Sequence, residues 1–473
     1  MQYSVVNYKT VIKADDFRWD GEFLCFEPHK NKNYRYFSIG EILKFAQYGI
    51  SIDMNESGQG YKIYRMNEIS NMFCDFDVDK YADINEQEMK KFELKNNDVV
   101  FNRTNSQAFV GRTGIFRKFS DEPFVFASYL VRFRPDQKKV LPEYLTTFLN
   151  TKYGVQDVQR RARISINQSN VSASELEKVE MPLLSINFQN KLIPLFDKSF
   201  HSIVESKKYY FQAEQLLLSE IGLSNWVPKQ DLVFIKKFSE TEKAERIDAE
   251  YFQPKYEEII DAVKKCKNGF VKLGEVAKTK RGSLISDNLY REGKGIGYIR
   301  GADFSSGFLS NDKMIYIDDS FKKTNETKVN QGDIVFALIG TVGSSALVEK
   351  DFDGAFISNN LGKISVKNYN STILQVLFHS VVGKMYFAKE QTQTAQPKIS
   401  DKDIYDFILP KFDSKTEKEI EKLYFDSQKA KHLFKSLLEI AKRVVEMAIE
   451  KDEKEAEKWI DKELKQLDVK ITS

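Results

Sequence analysis

The sequence contains few cysteines and histidines, and their placement excludes several kinds of site. Its 473 residues include 3 cysteines and 4 histidines. Cys25, Cys74 and Cys266 stand far apart and form no CxxC pair, which a zinc site or a disulfide framework would need. The histidines form no HExxH or HxH cluster. We therefore expect reduced cysteines and no bound metal.

Long apolar runs and nucleotide-binding loops are also missing. No segment approaches the about 18 consecutive apolar residues of a membrane-spanning helix, and the N-terminal stretch MQYSVVNYKTVIKADDF has no signal core. The chain lacks a GxGxxG loop, a GxxxxGK[ST] loop and the Asn-Pro-Pro of amino-methyltransferases. These absences predict a cytoplasmic protein that has no catalytic site and binds no cofactor itself.

An excess of charge of one sign is absent as well. The 72 basic and 69 acidic side chains leave a formal net charge of +3. A nucleic-acid binder of this composition has to concentrate its positive charge locally. With 41% hydrophobic and 13% aromatic residues, the chain is expected to be folded, and its length suits two domains.

What the sequence does contain is an internal repeat. The stretch RWDGEF at 18–23 returns as RIDAEY at 246–251, a shift of 228 positions. The same shift relates Gln168 to Gln396 and Pro182 to Pro410. Further stretches match in the same order: 39–51 with 273–283, 64–70 with 299–305, and 97–116 with 332–348. Several anchors in one order predict two copies of one structural unit.

Each copy begins with short β-branched and aromatic runs and ends in a long helix that follows a proline. This pattern predicts an α+β fold, in which two tandem α/β domains form a pseudo-symmetric repeat separated by two long helices. The predicted N-terminal domain is 1–185 and the first spacer helix is 186–225. The second domain is 226–412, and the second spacer helix with a charged tail is 413–473.

The two helices carry apolar residues at alternating spacings of three and four, which is typical of a coiled coil. We expect the helices to pair along this seam, in parallel or antiparallel; the alternative is that each packs on its own globule. The seam residues are Leu192, Phe196, Ile203, Tyr210, Leu217, Ile420, Leu423, Phe434, Leu437 and Val444.

The order RxDxEY/F, LGE, YIRGADFS, GDIVFA with GTVG, and TAQPKIS with LP before a long helix resembles the specificity (S) subunit of Type I restriction-modification systems. The resemblance covers nearly the whole chain. It implies two target-recognition domains that read the halves of a bipartite asymmetric DNA target. It also implies that the helices act as a ruler and dock methyltransferase subunits. S-adenosylmethionine, ATP and magnesium are then expected on the methyltransferase and restriction subunits.

The candidate DNA contacts in the N-terminal half are arginines and amides, because arginine suits guanine and Asn or Gln suits adenine. They are Asn102, Arg103, Asn105, Gln107, Arg112 and Gln168, with Arg160, Arg161 and Arg163 as candidate phosphate contacts. The alternatives are a polar turn at 102–107 and a solvated helix end at 160–163.

The candidates in the C-terminal half are Lys278, Lys280, Arg281, Arg300, Gln393, Gln396 and Lys398. The first three are predicted to form a basic loop beside Gly282. Arg300 matches Arg65, and each arginine could instead tie its loop to the carboxylate three residues on, Asp303 or Glu68. Arg18 and Arg246 are interpreted as structural or as part of a subunit interface.

Three other functions fit parts of this pattern. One is a specificity subunit of a related Type IIB-like restriction system. Another is a coiled-coil protein–protein scaffold that does not bind DNA, and salt-dependent duplex binding would separate it from a DNA reader. The third is a free-standing restriction enzyme, against which the missing catalytic motifs count.

Overall fold

A computed structural model describes Phe23, Val469 and residues 29–467, apart from 108, 166–167, 292, 306, 312–313, 319–320 and 322–327. Arg18 and Cys25 therefore lie outside the described residues. The chain forms two compact units: unit 1 is Met1–Val204 with Ala430–Ser473, and unit 2 is Glu205–Lys429. Both long helices are divided between the two units. The predicted domain boundaries fall instead at helix ends, and they stay a prediction.

Two long helices run through the fold. The central helix is Leu192–Ile221, and the C-terminal helix is Ser414–Glu450. The shorter helices of unit 1 are Ile39–Ile42, Glu86–Phe92, Pro142–Asn150, Lys152–Arg161, Ala173–Glu177, Ile186–Asn190 and Glu453–Gln466. Those of unit 2 are Phe238–Ala244, Pro254–Lys264, Leu273–Val276, Ser371–His379, Val381–Glu390 and Asp401–Asp406, with 3-10 turns at Asp287–Leu289, Gly301–Asp303 and Lys350–Phe352.

The described strands of unit 1 form four sheets. The largest has the strand order Leu43–Tyr48, Leu130–Pro135, Val99–Asn102, Thr113–Ile115, Phe73–Cys74, Ile69–Ser70. The second has the order Phe124–Phe126, Tyr61–Tyr64, Tyr81–Ala82, Met54–Asn55. The smaller sheets join Arg163–Ser165, Gln168–Asn170 and Thr104–Asn105, and pair Tyr36–Ser38 with Glu180–Pro182.

Unit 2 repeats this plan with shorter sheets. One described sheet has the order Ala277–Arg281, Leu361–Val366, Ile334–Ala337, Ser345–Leu347. Another has the order Tyr290–Arg291, Ile315–Ile317, Ile296–Ile299, Phe356–Ile357. The remaining pairs are Phe270–Lys272 with Ile408–Pro410 and Phe304–Ser305 with Phe308–Leu309. The mixture of helices and sheets and the matched order of elements confirm the predicted α+β repeat.

Buried aspartates hold equivalent turns at the start of the inner strand of each unit. In unit 1, Asp98 accepts a hydrogen bond from the Lys95 amide at 2.8 Å and pairs with the buried Arg132 at 3.3 Å. In unit 2, Asp333 accepts from the Asn330 amide at 2.9 Å and lies 3.8 Å from the Lys363 ammonium group. A buried charge needs such partners, so these pairs fix the strand on which each following loop depends.

The two long helices pair antiparallel where unit 2 contains both of them. Ser206 bonds Ser427 at 3.1 Å, and the Tyr210 ring lies 6.3 Å from the Tyr424 ring, so residue numbers rise along one helix and fall along the other. The predicted pairing is therefore confirmed within this chain. Seven seam residues are buried and three are half-buried: Leu192, Phe196, Leu217, Ile420, Phe434, Leu437 and Val444, then Ile203, Tyr210 and Leu423.

The same helices also pack on the globules, which was the alternative expectation. In unit 1 the Phe73 ring lies 5.6 Å from Phe196 and 6.0 Å from Phe434. The short helix Glu453–Gln466 buries Ala456 and Ile460 in the same core. The charged tail thus contains a helix that docks on unit 1 by its apolar face.

Among the described residues, no helix combines the length and the apolar character needed to cross a membrane. The described residues also contain no group of three His, Cys, Asp or Glu side chains placed to hold a metal ion. Cys74 and Cys266 are free thiols.

Gly282 directly follows the edge strand Ala277–Arg281 of unit 2, at a point where the chain passes close to another segment. A Cβ atom there would lie 2.2 Å from the Ser358 carbonyl oxygen, whereas one at Gly301 would meet nothing within 4 Å. We expect Gly282→Ala to destabilise the protein by about 1–3 kcal/mol, because backbone must move to admit the methyl group. Thermal unfolding followed by circular dichroism measures this. Gly301→Ala is the control, and equal midpoints for the two variants would contradict the close approach.

Glu450 fastens the end of the C-terminal helix to the helix Lys152–Arg161 of unit 1. Its carboxylate accepts from Lys152 at 2.6 Å, from the Tyr153 hydroxyl at 3.1 Å and from Arg443 at 3.2 Å. Burial raises the pKa of this carboxyl, but the hydrogen bonds from Lys152, Arg443 and Tyr153 together lower it to about 2. The folded state therefore favours the ionised form.

Because the pKa of Glu450 is lower in the folded state, its contribution is complete above about pH 4.5 and is lost as the pH falls towards about 2. We expect Glu450→Gln to cost about 1–2 kcal/mol at neutral pH, since charge-assisted bonds at a partly exposed carboxylate are screened. The difference from the parent protein should shrink across that acid window in urea titrations at several pH values. Glu439→Gln, on an exposed face of the same helix, is the control, and a difference independent of pH would contradict the assignment.

Candidate nucleic-acid interface

In unit 1 two loops from distant parts of the sequence meet beside the inner strand Val99–Asn102. The chain after this strand forms Thr104–Asn105, which pairs with Gln168–Asn170 through the partners Ser169 with Asn105 and Asn170 with Thr104. The Val171 amide also donates to the Arg103 carbonyl oxygen at 2.9 Å. Two groups of predicted DNA contacts, around Arg103 and around Gln168, are thereby brought together.

Unit 2 brings the equivalent loops together. The chain after Ile334–Ala337 contacts the segment 391–398 through an isolated bridge between Ile339 and Lys398. The Gly340 amide donates to the Pro397 carbonyl oxygen at 2.9 Å. The predicted contacts Gln393, Gln396 and Lys398 are all exposed on this segment.

The candidates that follow the inner strand of unit 1 differ in what they offer to a ligand. Asn102 is fully buried and donates to the Met66 carbonyl oxygen at 2.8 Å, so its side chain supports the strand and is not available as a base contact. Gln107 is exposed, whereas Asn105 is half-buried and accepts from the Ser106 amide at 2.8 Å. The Arg112 guanidinium lies 4.0 Å from the Phe109 ring centroid, and burial lowers its pKa.

The arginines at the end of the helix Lys152–Arg161 are held by carboxylates. Arg160 donates to Asp157 at 2.5 Å, and the buried Arg161 pairs with Asp157 at 3.2 Å and with Glu175 at 3.4 Å. Arg161 is therefore not interpreted as a phosphate contact, because its charge is buried and neutralised by these carboxylates. Arg163 and Gln168 are exposed on the two paired strands that follow this helix, and they stay predicted contacts.

The predicted basic loop of unit 2 is instead a strand, Ala277–Arg281, paired with Leu361–Val366. The prediction of a loop was wrong because pairing with the inner sheet, absent from the local pattern, extends these residues. Lys278, Lys280 and Arg281 are nevertheless exposed along this edge. Arg281 donates from Nε to the Asn359 carbonyl oxygen at 2.7 Å, at the end nearest the loops.

The repeated arginines make the structural contacts that were considered as an alternative. The Arg65 amide donates to Glu68 at 2.6 Å, and the Arg65 guanidinium pairs with the same carboxylate. Arg300 likewise donates its amide to Asp303 at 2.7 Å and pairs with it at 3.3 Å. Arg300 is therefore interpreted as a residue that stabilises its own loop through Asp303, not as a primary DNA contact. Arg246 pairs with Asp248 at 2.7 Å, in agreement with a structural role.

Two tyrosines beside Arg103 were missed by the sequence analysis. Tyr48 and Tyr129 are large aromatic residues, yet they are 42% and 43% exposed. The Arg103 guanidinium lies 4.9 Å from the Tyr48 ring centroid, and the Arg103 amide donates to the Tyr129 carbonyl oxygen at 3.0 Å. A signal was present, because Tyr48 precedes Gly49 as Arg281 precedes Gly282. The unit 1 site thus combines an arginine, amides and exposed aromatic rings.

Comparisons with known proteins agree with this two-fold arrangement. The family model of the Type I restriction modification DNA specificity domain matches residues 31–208 and again residues 266–423. A protein of Methanocaldococcus jannaschii, provisionally named the type I restriction enzyme MjaX specificity subunit, is 23% identical over 284 residues, which are 56% of this chain and 66% of that protein. The type I restriction enzyme EcoKI specificity subunit of Escherichia coli is 24% identical over 176 residues, 37% of this chain and 38% of that protein. The matches thus span less than two thirds of either relative.

Two solved structures resemble the chain over most of its length. The S subunit of a Type-I restriction-modification system from M. genitalium has a TM-score of 0.38 at 12% identity, over 94% of this chain and 100% of that chain. The HsdS subunit from Thermoanaerobacter tengcongensis has a TM-score of 0.29 at 13% identity, over 89% and 98%. At these TM-scores neither structure bears on the function of this chain.

Replacing the exposed lysines of the strand Ala277–Arg281 tests whether this strand contacts DNA. If they lie along a phosphate backbone, the double variant Lys278→Ala with Lys280→Ala should weaken binding to every duplex. The slope of log affinity against log salt is negative, and its magnitude should decrease by about 1 for each phosphate group that is no longer neutralised. Fluorescence anisotropy at several salt concentrations measures both. Lys415→Ala, an exposed lysine elsewhere on unit 2, is the control. An unchanged slope would remove this strand from the interface.

Proposed function

The chain belongs to the family of the Type I restriction modification DNA specificity domain, and we propose that it is the DNA sequence-specificity subunit of a restriction-modification complex. It recognises a bipartite duplex target and directs methyltransferase and restriction subunits to that target. In this proposal the chain carries no catalytic site.

The proposal rests on one observation. The same pair of loops occurs in both units beside equivalent inner strands, but with different side chains. Unit 1 presents Arg103 with Tyr48, whereas the equivalent positions of unit 2 hold Leu338 and Arg281. Sequence is read by side chains that reach base edges, so unlike side chains on like frames read unlike bases. The target therefore has two different halves, one for each unit.

The proposed partners are double-stranded DNA, methyltransferase subunits and a restriction subunit. Support comes from the two curated relatives, both named as specificity subunits of type I restriction enzymes. S-adenosylmethionine, ATP and magnesium are assigned to the partner subunits. The long helices are proposed as the docking elements and as the ruler for the target, as the family resemblance implies.

Mapping of methylated adenines tests this function. Genomic DNA from cells that express the chain with a partner methyltransferase should carry methylation at one bipartite motif, with two unlike halves and a fixed non-specific spacer. Cells that express the methyltransferase alone are the control and should lack that motif. Methylation of the same motif without this chain, or no salt-dependent binding of the purified chain to duplex DNA, would refute the proposal and leave the protein–protein scaffold.

A further inference from the structure

We propose that Arg103 reads a single guanine in one half of the target, and that Tyr48 and Asn170 hold its guanidinium in the reading orientation before DNA binds. This inference rests on the proposed function and names the side chain that determines specificity in unit 1. It is supported by the contacts of the guanidinium with Tyr48 and Asn170, and by the guanidinium N–H groups that remain to bind a base.

Tyr48 supplies a fixed platform beneath the arginine. Its ring centroid lies 4.9 Å from the Arg103 Cζ atom, a distance at which a cation is attracted to an aromatic face. The Tyr48 hydroxyl accepts a hydrogen bond from the Ala173 amide at 3.0 Å. Because the backbone of Tyr48 lies in a strand and its hydroxyl is bonded to a helix start, the side chain cannot change its χ1 rotamer without breaking a contact.

Asn170 fixes the plane of the guanidinium from the side. Its Oδ1 atom accepts from Arg103 Nη2 at 3.3 Å, while its Nδ2 atom donates to the Thr104 hydroxyl at 2.7 Å. The backbone of Arg103 is bonded on both sides, to Tyr129 and to Val171. Ordering a long arginine side chain on binding costs free energy. Here most of that ordering is already present in the folded protein.

The outer edge of the guanidinium is the part left for a base. Arg103 Nε is enclosed and has no hydrogen-bond partner among the described residues, and none of them accepts a hydrogen bond from Nη1. Nη1 and the second hydrogen of Nη2 form a fork whose geometry matches the O6 and N7 acceptors of guanine in the major groove. Adenine presents an amino donor where guanine has O6, so the same fork rejects it.

Unit 2 cannot make this contact. Leu338 stands at the position of Arg103 and is buried, and Arg281 stands at the position of Tyr48. Arg281 donates to the Asn359 backbone, and Leu338 offers neither a charge nor a hydrogen-bond donor to a base. The guanine read by Arg103 therefore belongs to one half of the target only, and the loss of Arg103 leaves the other half unaffected.

Methylation mapping of variants tests the inference, with the full chain and its partner methyltransferase. Arg103→Lys and Arg103→Ala should relax one guanine position in one half, with a loss of discrimination of about 5- to 150-fold, the range that one bidentate arginine–base pair provides. Tyr48→Ala and Asn170→Ala should relax the same position by a smaller factor. Tyr48→Phe, which keeps the ring, should retain most of the discrimination.

Arg35→Ala is the matched control, because Arg35 also stacks on an aromatic ring of unit 1, Phe37, at 4.5 Å but lies away from the loops. It should leave the motif unchanged. If the parent chain specifies no motif, the proposed function fails. If the parent specifies a motif but the Arg103 variants lower methylation equally at all sequences, Arg103 contacts a phosphate and the inference is overturned. Relaxation at an adenine position would overturn it too.

Discussion

The structure depends on the closure of each unit by two helix segments that are far apart in sequence. In unit 1 the aromatic rings of Phe73, Phe196 and Phe434 meet in one core, although Phe434 belongs to the last part of the chain. In unit 2, Leu217 and Ile420 share the core in the same way. Burial of these apolar side chains is the main favourable contribution to folding. Because each core includes residues from both halves of the sequence, neither half contains a complete core. The core of unit 1 can therefore be completed only after the residues beyond 430 have been synthesised.

The loops of each unit are positioned by bonds that do not depend on the type of their exposed side chains. Main-chain bonds join the loops in both units, from the Val171 amide to the Arg103 carbonyl oxygen in unit 1 and from the Gly340 amide to the Pro397 carbonyl oxygen in unit 2. The inner strands beneath them are fixed by Asp98 and Asp333. Since these two main-chain bonds use no side chain, exposed loop residues such as Gln107 and Gln393 can be replaced without breaking them.

Much of the architecture could be predicted from the sequence, because it is encoded in patterns that repeat. The shift of 228 positions revealed the two copies, and the spacing of three and four predicted the helix seam. Less of the site could be predicted. The strands are short, such as Thr104–Asn105, and two residues carry no readable period. Asn102 is polar in sequence but buried in the fold, because its partner Met66 comes from another part of the chain.

Tyr48 shows most clearly what a sequence pattern omits. Its importance comes from two neighbours, Arg103 and Ala173, which lie beside it only after two sheets and a helix have packed. Gly49 is required because a Cβ atom there would lie 2.3 Å from the Ala127 carbonyl oxygen, and Gly282 meets the same constraint in unit 2. The residue before each glycine is therefore delivered to the same place, beside the loops. The tyrosine at this place in unit 1 lies against Arg103, whereas the arginine at this place in unit 2 donates a hydrogen bond to the Asn359 backbone. The repeat thus fixes where a side chain is presented, and the residue type at that place decides what it can bind.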